Sequence, residues 1–246
     1  MNNKVVLITG ASRGIGAATA KIFASKGYNV VINYNNSEIE ALNLSKELEQ
    51  NYNITTLTIK CDVSNETEVK NMVEKTIEVF GHIDVLVNNA GIAIDTTFED
   101  KNADNFKRIL DINLIGTFLV SKYVSTYMLK EKKGSIINIS STNGIGTYYS
   151  YSLDYDASKA GVISLTNNLA LQFAPYIRVN TVAPGWVNTE MNKELDEEYV
   201  KEECEKILLN RFGDPEEIAK VIYFLASDEA SYINSSIIRV DGGFKC

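Results

Sequence analysis

The sequence predicts an α/β domain, with a parallel sheet covered by helices on both faces. Three observations predict it. Short β-branched runs alternate with longer stretches of helical spacing. At 246 residues and 45% hydrophobic content, the chain has apolar material for one large core. No linker, repeat or low-complexity tract interrupts the alternation, so 1–246 reads as a single domain. Strand–helix alternation implies βαβ units, whose right-handed crossovers put helices on both faces.

The first run, Val5–Thr9, leads into Gly10-Ala11-Ser12-Arg13-Gly14-Ile15-Gly16 and then a helical stretch, Ile15–Ser25. Glycines allow a sharp turn and a close approach of backbone to a pyrophosphate, and a helix N-terminus offers free N–H groups to phosphate. A glycine triplet alone is weak, since a tight turn has the same composition; its place between first strand and first helix makes it informative. The second run is Val30–Asn33, followed by the helix Glu38–Glu49. Asn33-Tyr34-Asn35-Asn36-Ser37 contains no carboxylate, the group that would hold a ribose 2′-hydroxyl and repel a 2′-phosphate. Arg13 can pair with such a phosphate, although an exposed loop charge is the plainer reading. Both features favour NADP(H), with NAD(H) as the alternative.

The third run, Thr55–Lys60, precedes Asp62 and the helix Glu66–Phe80; Asp62 has the position of a helix N-cap. Val85–Asn88 is the fourth run, and Asn88-Asn89-Ala90-Gly91 at its end suits a ligand crevice at a topological switch point. A single long helix is expected over Ala103–Leu129, with Asn113 as an amide among apolar neighbours that must find partners. Ser135–Ser140 is the fifth run and Asp156–Phe173 the helix after it. Tyr155 and Lys159 are four apart and share a helix face. An ammonium about 4 Å from the phenol, at an effective dielectric of about 20, would favour the phenolate by about 4 kcal/mol. That lowers a phenol pKa near 10 by up to roughly three units. With 13 tyrosines, one such pair is expected by chance, so its position after the fifth strand carries the argument.

Arg178–Val182 and Ser236–Val240 complete the strands, and Pro215–Ala226 is the last helix, opened by an Asp214 N-cap. Pro175, Pro184 and Pro215 all fall outside the expected strands. Residues 192–210, rich in Glu and Lys, read as a solvated, mobile helical pair.

Composition excludes several functions. A net charge of −8 and a pI of about 4.9 disfavour nucleic acid and anionic membranes as partners. One histidine, His82, makes a Ser-His-Asp hydrolase or a histidine metal site hard to build, and no metal is expected. Cys61, Cys204 and Cys246 lack metal-ligand spacing and read as reduced thiols. With only Met1–Lys4 ahead of the first apolar run, and no run of about 18 apolar residues, no signal peptide or membrane span is expected. The expected location is cytoplasmic.

Thr9 with the G-x-x-x-G-x-G loop, Asn89-Ala90-Gly91 and Tyr155-Asp156-Ala157-Ser158-Lys159 resemble the short-chain dehydrogenase/reductase family along the whole chain. The resemblance implies a single-domain Rossmann fold, a doubly wound seven-stranded parallel sheet. It implies dinucleotide binding by Gly10, Ser12, Arg13, Gly14, Ile15 and Gly16, by Asn33 and Tyr34, and by Asp62-Val63 at the adenine. Asn89, Ala90 and Gly91 would border the ribose. Pro184, Gly185, Val187 and Thr189 would meet the nicotinamide end, as would Tyr155 and Lys159. Tyr155 becomes the proton donor or acceptor, Ser141 the partner of the substrate oxygen, and Asn113 the holder of a water near Lys159. Ser140 is the runner-up serine and Thr142 a remote one, because the gap from Ser141 to Tyr155 is one residue longer than usual.

Residues 187–212 would form a substrate lid. Tyr148, Tyr149 and Tyr151 would wall the pocket, with Trp186 and Met191 opposite. Within the family the sequence is most similar to 3-oxoacyl-acyl-carrier-protein reductases, from its Thr-Gly-Ala-Ser-Arg-Gly-Ile-Gly start to Asp241-Gly242-Gly243. It departs from them where arginines dock the acidic carrier. Lys130, Lys132 and Lys133 stand at one such stretch, and Gln172-Phe173-Ala174-Pro175-Tyr176 at the other has no cation. Carrier docking is therefore doubtful, and a sugar, polyol, steroid or other small carbonyl compound remains an alternative substrate to the acyl thioester. A nucleotide sensor without catalysis would not need Asn113, Ser141, Tyr155 and Lys159 together. The family is commonly tetrameric, and a homotetramer is expected.

Overall fold

The computed structural model describes residues 3–193 and 195–243, with Met191 described in its backbone only. Seven parallel strands form one sheet in the order β3-β2-β1-β4-β5-β6-β7. They are β1 Val5–Ile8, β2 Asn29–Tyr34, β3 Thr56–Lys60, β4 Val85–Asn88, β5 Gly134–Ile139, β6 Ile177–Pro184 and β7 Ile237–Val240. The expected α/β class and doubly wound sheet are thus observed.

Strand alternation distributes the core. Val6 and Ile8 of β1 pack on one face, with Phe23 of helix α1 (Gly14–Ser25) and Ile218 and Ile222 of α8 (Pro215–Ala226). Val5 and Leu7 point to the other face, among Val69 and Met72 of α3 (Glu66–Phe80) and Val120 and Val124 of α5 (Gly116–Glu131). Helix α2 (Glu38–Asn51) joins the first face, and α6 (Leu153–Phe173) the second. The sheet order reverses between β1 and β4, so the crevice opens at their carboxyl ends.

Five local expectations are corrected. The helix expected over Ala103–Leu129 is α4 (Ala103–Leu110), a π-helical turn Asp111–Ile115, and then α5. The extra residue of the wider turn rotates Asn113 into the interior, where it is 1% exposed. Helix α6 starts at Leu153, so Tyr155 lies in its first turn; Asp154 and Asp156 there complement the helix dipole. Pro184 does fall within a strand: it closes β6 in register with Val240. Residues 192–210 hold one helix, α7 (Glu197–Glu205), rather than a pair. Leu208 N and Leu209 N bond instead to Gly243 O and Gly242 O, tying the segment to the end of β7.

Asp62 does not cap α3. Asn65 does, accepting from Thr67 N and Glu68 N, while Asp62 Oδ1 accepts from Ser64 N at 2.9 Å and Ser64 Oγ at 2.6 Å. His82 precedes β4, with Nδ1 3.0 Å from Phe80 O and Nε2 3.2 Å from Asp84. Burial pushes the Cys61 thiol up to about 12, which keeps it protonated and unreactive. Cys246 lies outside the described residues.

Candidate active site

One cavity of about 790 Å³ runs along the carboxyl ends of the strands. At one end it is lined by Gly10, Ser12, Arg13, Gly14 and Ile15 from the loop after β1, and by Asn33 and Tyr34 of β2. Asp62, Val63, Asn89, Ala90 and Gly91 continue that wall. Ser141, Tyr155, Lys159, Pro184, Gly185, Val187 and Thr189 line the other end. Two of the expected residues, Gly16 and Asn113, do not line it.

Each exclusion has a physical cause. A Cβ on Gly16 would lie 2.7 Å from Asn89 Nδ2 and 2.9 Å from Ala11 Cα, so Gly16 serves packing of α1 under the loop. The Asn113 amide is consumed: Oδ1 accepts from Ile92 N at 2.9 Å, and Nδ2 donates to Ile92 O at 2.9 Å and Ser158 Oγ at 3.0 Å. It ties the loop after β4 to α6.

The glycine loop is held by bonds to its backbone. Asn89 Nδ2 donates to Thr9 O and Gly10 O, Thr9 Oγ1 accepts from Asn89 N and Ala90 N, and Asn33 Oδ1 accepts from Gly10 N. Gly10 and Gly14 take φ of +60° and +55°, which side chains other than glycine rarely adopt. The N-terminus of α1 opens into the cavity, and Arg13 at its N-cap makes no side-chain cap bond. Uncapped N–H groups with the positive end of the helix dipole fit a dinucleotide pyrophosphate.

At the other end the two serines divide their roles. Ser140 Oγ donates to Lys159 O at 2.8 Å and is spent on packing β5 against α6. Ser141 faces the phenol of Tyr155, and its hydrogen bond favours the phenolate. Burial nevertheless dominates and, with Asp156 and Asp95 nearby, pushes the Tyr155 phenol up to about 12. This corrects the expectation of a phenol made acidic by its lysine. Lys159 Nζ donates to Ile139 O at 2.9 Å and lies 5.4 Å from the Tyr155 ring centroid. Burial takes the Lys159 amine down to about 8, so it has lost its charge well before the phenol would ionise.

The substrate side is aromatic and acidic. Trp186 stacks on Phe212 at 5.3 Å, meets Tyr199 edge-on at 6.1 Å, and donates from Nε1 to Glu203 Oε2 at 2.9 Å. Tyr148, 84% exposed, and Tyr149 line the cavity, whereas Tyr151 does not. Met191 falls outside the described side chains. Sequence reasoning missed Asp95, Tyr199 and Glu203, which also line it, and the ion pair of Lys101 with Asp154 beneath it. Glu203 had no signal in a Glu-rich helix, but Asp154, adjacent to Tyr155, did. The lysines considered for carrier docking lie elsewhere: Lys130, Lys132 and Lys133 precede β5, at the end of the sheet opposite the cavity. Lys130 and Lys132 sit over the rings of Tyr127 and Tyr176, and Lys133 is 3.6 Å from Asp84.

The family model described as enoyl-(acyl carrier protein) reductase matches residues 10–245. A 3-oxoacyl-acyl-carrier-protein reductase of Thermotoga maritima is 41% identical over 249 residues, covering 99% of this chain and 98% of the relative. The chain is a short-chain dehydrogenase/reductase. Among solved structures, a mutant short-chain dehydrogenase/reductase of Serratia marcescens superposes with TM-score 0.93 at 33% identity, covering 99% and 98% of the two chains. Levodione reductase does so with TM-score 0.91 at 35% identity, covering 97% and 96%. As a short-chain dehydrogenase/reductase the protein is an oxidoreductase acting on CH–OH groups with a nicotinamide dinucleotide. No helix among the described residues is long and apolar enough to cross a membrane, and no cluster of three or more His, Cys, Asp or Glu among them could hold a metal.

Proposed function

We propose that the chain reduces 3-oxoacyl thioesters to 3-hydroxyacyl thioesters with NADP(H), in the cytoplasm and as a homotetramer. The observation that carries this is one continuous cavity joining the glycine loop to Ser141, Tyr155 and Lys159. The bound dinucleotide supplies the hydride. Ser141 orients the reacting carbonyl oxygen by donating its hydroxyl proton. Tyr155 gives its own proton to that oxygen, and a phenol raised to about 12 is fully protonated at neutral pH, the state reduction requires. Lys159, 5.4 Å from the Tyr155 ring centroid, would hold the ribose of a bound dinucleotide and restores charge balance as the proton leaves. Asn113 supports the site by tying Ile92, in the loop after β4, to Ser158, the residue before Lys159.

Arg13, with no carboxylate among Asn33, Tyr34, Asn35 and Asn36, favours the 2′-phosphate of NADP(H), with NAD(H) as the alternative dinucleotide. Residues 187–212 act as the lid, with Tyr199 on its inner face against Trp186, the residue before it. The lysines before β5 lie at the end of the sheet opposite the cavity, so a docking acyl carrier protein would have to use other cations. The aromatic and acidic rim, with the likeness to levodione reductase, supports a second reading as a reductase of small neutral ketones. Oxidation of NADPH by an acetoacetyl thioester, measured beside cyclic diketones, sugars and ketosteroids, separates the two. Turnover of the thioester at least tenfold faster is expected; none at all removes the first reading.

A further inference from the structure

The loop after β4 is fastened to the first turn of α6 by a buried ion pair that the mechanism above does not use. Lys101 Nζ lies 2.8 Å from Asp154 Oδ1, and the two side chains are 6% and 0% exposed. Lys101 Nζ also donates to Ile94 O at 2.6 Å, closing its own loop. The same Asp154 oxygen accepts from the backbone N of Tyr155 at 3.0 Å. Asp154 Oδ2 is buried and meets no protein donor, so Lys101 is the charge that compensates this carboxylate. A backbone bond from Thr96 N to Tyr151 O, 3.1 Å, runs beside the pair.

A buried ion pair adds little net stability over apolar residues of the same volume, because desolvation offsets the attraction. Its specific effect is geometric and electrostatic: it sets the position of what it holds. Here it holds the main chain of Tyr155 and the loop carrying Asp95, the carboxylate at the cavity wall.

We propose that Lys101 and Asp154 are positioning residues for Tyr155, clamping its backbone to the substrate-side loop and neutralising the charge behind the phenol. The inference rests on the reading of Tyr155 as proton donor. Asp156 on α6 and Asp95 on the loop after β4 act on the Tyr155 phenol, Lys159 lies 5.4 Å from its ring centroid, and Tyr149 after β5, Tyr199 and Glu203 on α7 and Arg108 on α4 share the cavity wall with it. Asp95 and Asp156 both strengthen the phenol's hold on its proton, while Lys101 opposes and Asp154 reinforces retention of the proton on Asp95. The pair is therefore linked to Tyr155 through the backbone and to Asp95, on the same cavity wall, by charge.

Two single variants change that charge in opposite directions. Lys101→Met leaves an uncompensated anion behind the phenol, and Asp154→Asn leaves an uncompensated cation. Each should lower kcat by about tenfold or more with KM changed less than about threefold, because orientation is lost and not the cavity. The alkaline limb of the reduction profile should move to higher pH in Lys101→Met and to lower pH in Asp154→Asn. The paired variant Lys101→Met with Asp154→Asn carries neither charge. It should keep dinucleotide binding, read by NADPH fluorescence, and return the limb to its original pH while kcat stays low.

A purely structural role would move the limb in neither variant, or in the same direction in both, and either result overturns the proposal. If a single variant does not fold, the paired variant decides, and unreduced kcat in it overturns the proposal. Amide exchange at Tyr155 is independent of substrate; it should rise at least about tenfold in the paired variant, and unchanged exchange overturns the clamp. Should Tyr155→Phe retain turnover, the underlying reading fails; should it be inactive while the limbs coincide, only this inference fails.

Discussion

The two rims of the cavity are built differently. On the dinucleotide rim, side chains bond to backbone: Asn89 to Thr9 O and Gly10 O, Asn33 to Gly10 N and Cys61 O. On the substrate rim, side chains also bond to each other: Asn143 Nδ2 to Asp156 Oδ1 at 2.7 Å, Trp186 Nε1 to Glu203 Oε2 at 2.9 Å, Lys101 to Asp154. The first arrangement shapes a main-chain cradle that accepts any ligand with a pyrophosphate. The second can be rebuilt by substitution without disturbing the sheet, so substrate choice resides there.

The largest effect should appear where the rims meet. Tyr155→Phe removes the proton and keeps the ring, so turnover should fall by about 10²–10⁴-fold. Dinucleotide affinity, set on the other rim, should change by less than about threefold. Retained turnover, measured by steady-state NADPH oxidation, would break the division of labour between the rims.

Lys159 tests the same boundary through stability. Burial lowers its amine from 10.5 to about 8, so the unfolded chain binds this proton more tightly than the folded one. Between these values folding releases the proton, and below about 8 folding carries the full cost of the buried charge. That cost is about 3 kcal/mol, from 1.36 kcal/mol per unit. Lys159→Met should therefore abolish turnover and yet stabilise the protein at pH 7 by about 2 kcal/mol, once the lost bond to Ile139 O is deducted. The gain should fade as pH rises through about 8 toward 10.5. Urea unfolding at several pH values measures it; equal stabilisation at every pH would refute the assignment.

The difference between the rims also governs what the sequence reveals. Strand β4 and helices α3 and α8 were readable to the residue, since periodicity and, at α8, the Asp214 cap with Pro215 act locally. The glycine loop was readable because Gly10 and Gly14 need a positive φ. The π-helical turn at Asp111–Ile115 was not, since nothing in a run of apolar residues marks one extra residue per turn; the single sign was an amide, Asn113, in the interior. The raised phenol of Tyr155 was hidden for a related reason. Spacing put Lys159 beside it, but burial, a property of the whole fold, decided both values. The Lys101–Asp154 pair spans 53 positions, a separation that no local pattern encodes.

A smaller effect probes the packing beneath the dinucleotide rim. In Gly16→Ala the new methyl meets Ala11 Cα and the Asn89 amide, both fixed by the lattice around Gly10. Overpacking of this kind costs about 1–3 kcal/mol. A lowered Tm together with weaker binding of both NADPH and NADH is expected, because the whole loop shifts. Loss of only one dinucleotide would mean that Gly16 contacts the ligand and does not merely support the loop.

The smallest expected effect concerns the choice between dinucleotides. Arg13 is exposed at the N-cap of α1, on the cavity wall shared with Asn33, Tyr34 and Asn35. Glu38, the first carboxylate after β2, accepts the Tyr34 hydroxyl at 3.1 Å on Oε1 and is thereby engaged with its own strand end. A guanidinium at this rim can pair with a 2′-phosphate at a gain of about 1–2 kcal/mol, reduced by its exposure to water and salt. Arg13→Ala should therefore raise the Kd for NADPH by about tenfold and leave that for NADH within about twofold. Raising the salt concentration should shrink the difference in the unmodified protein and have little effect in the variant. Equal weakening of both dinucleotides would place the Arg13 charge on the shared pyrophosphate, and the preference would then have to come from the amides at the end of β2.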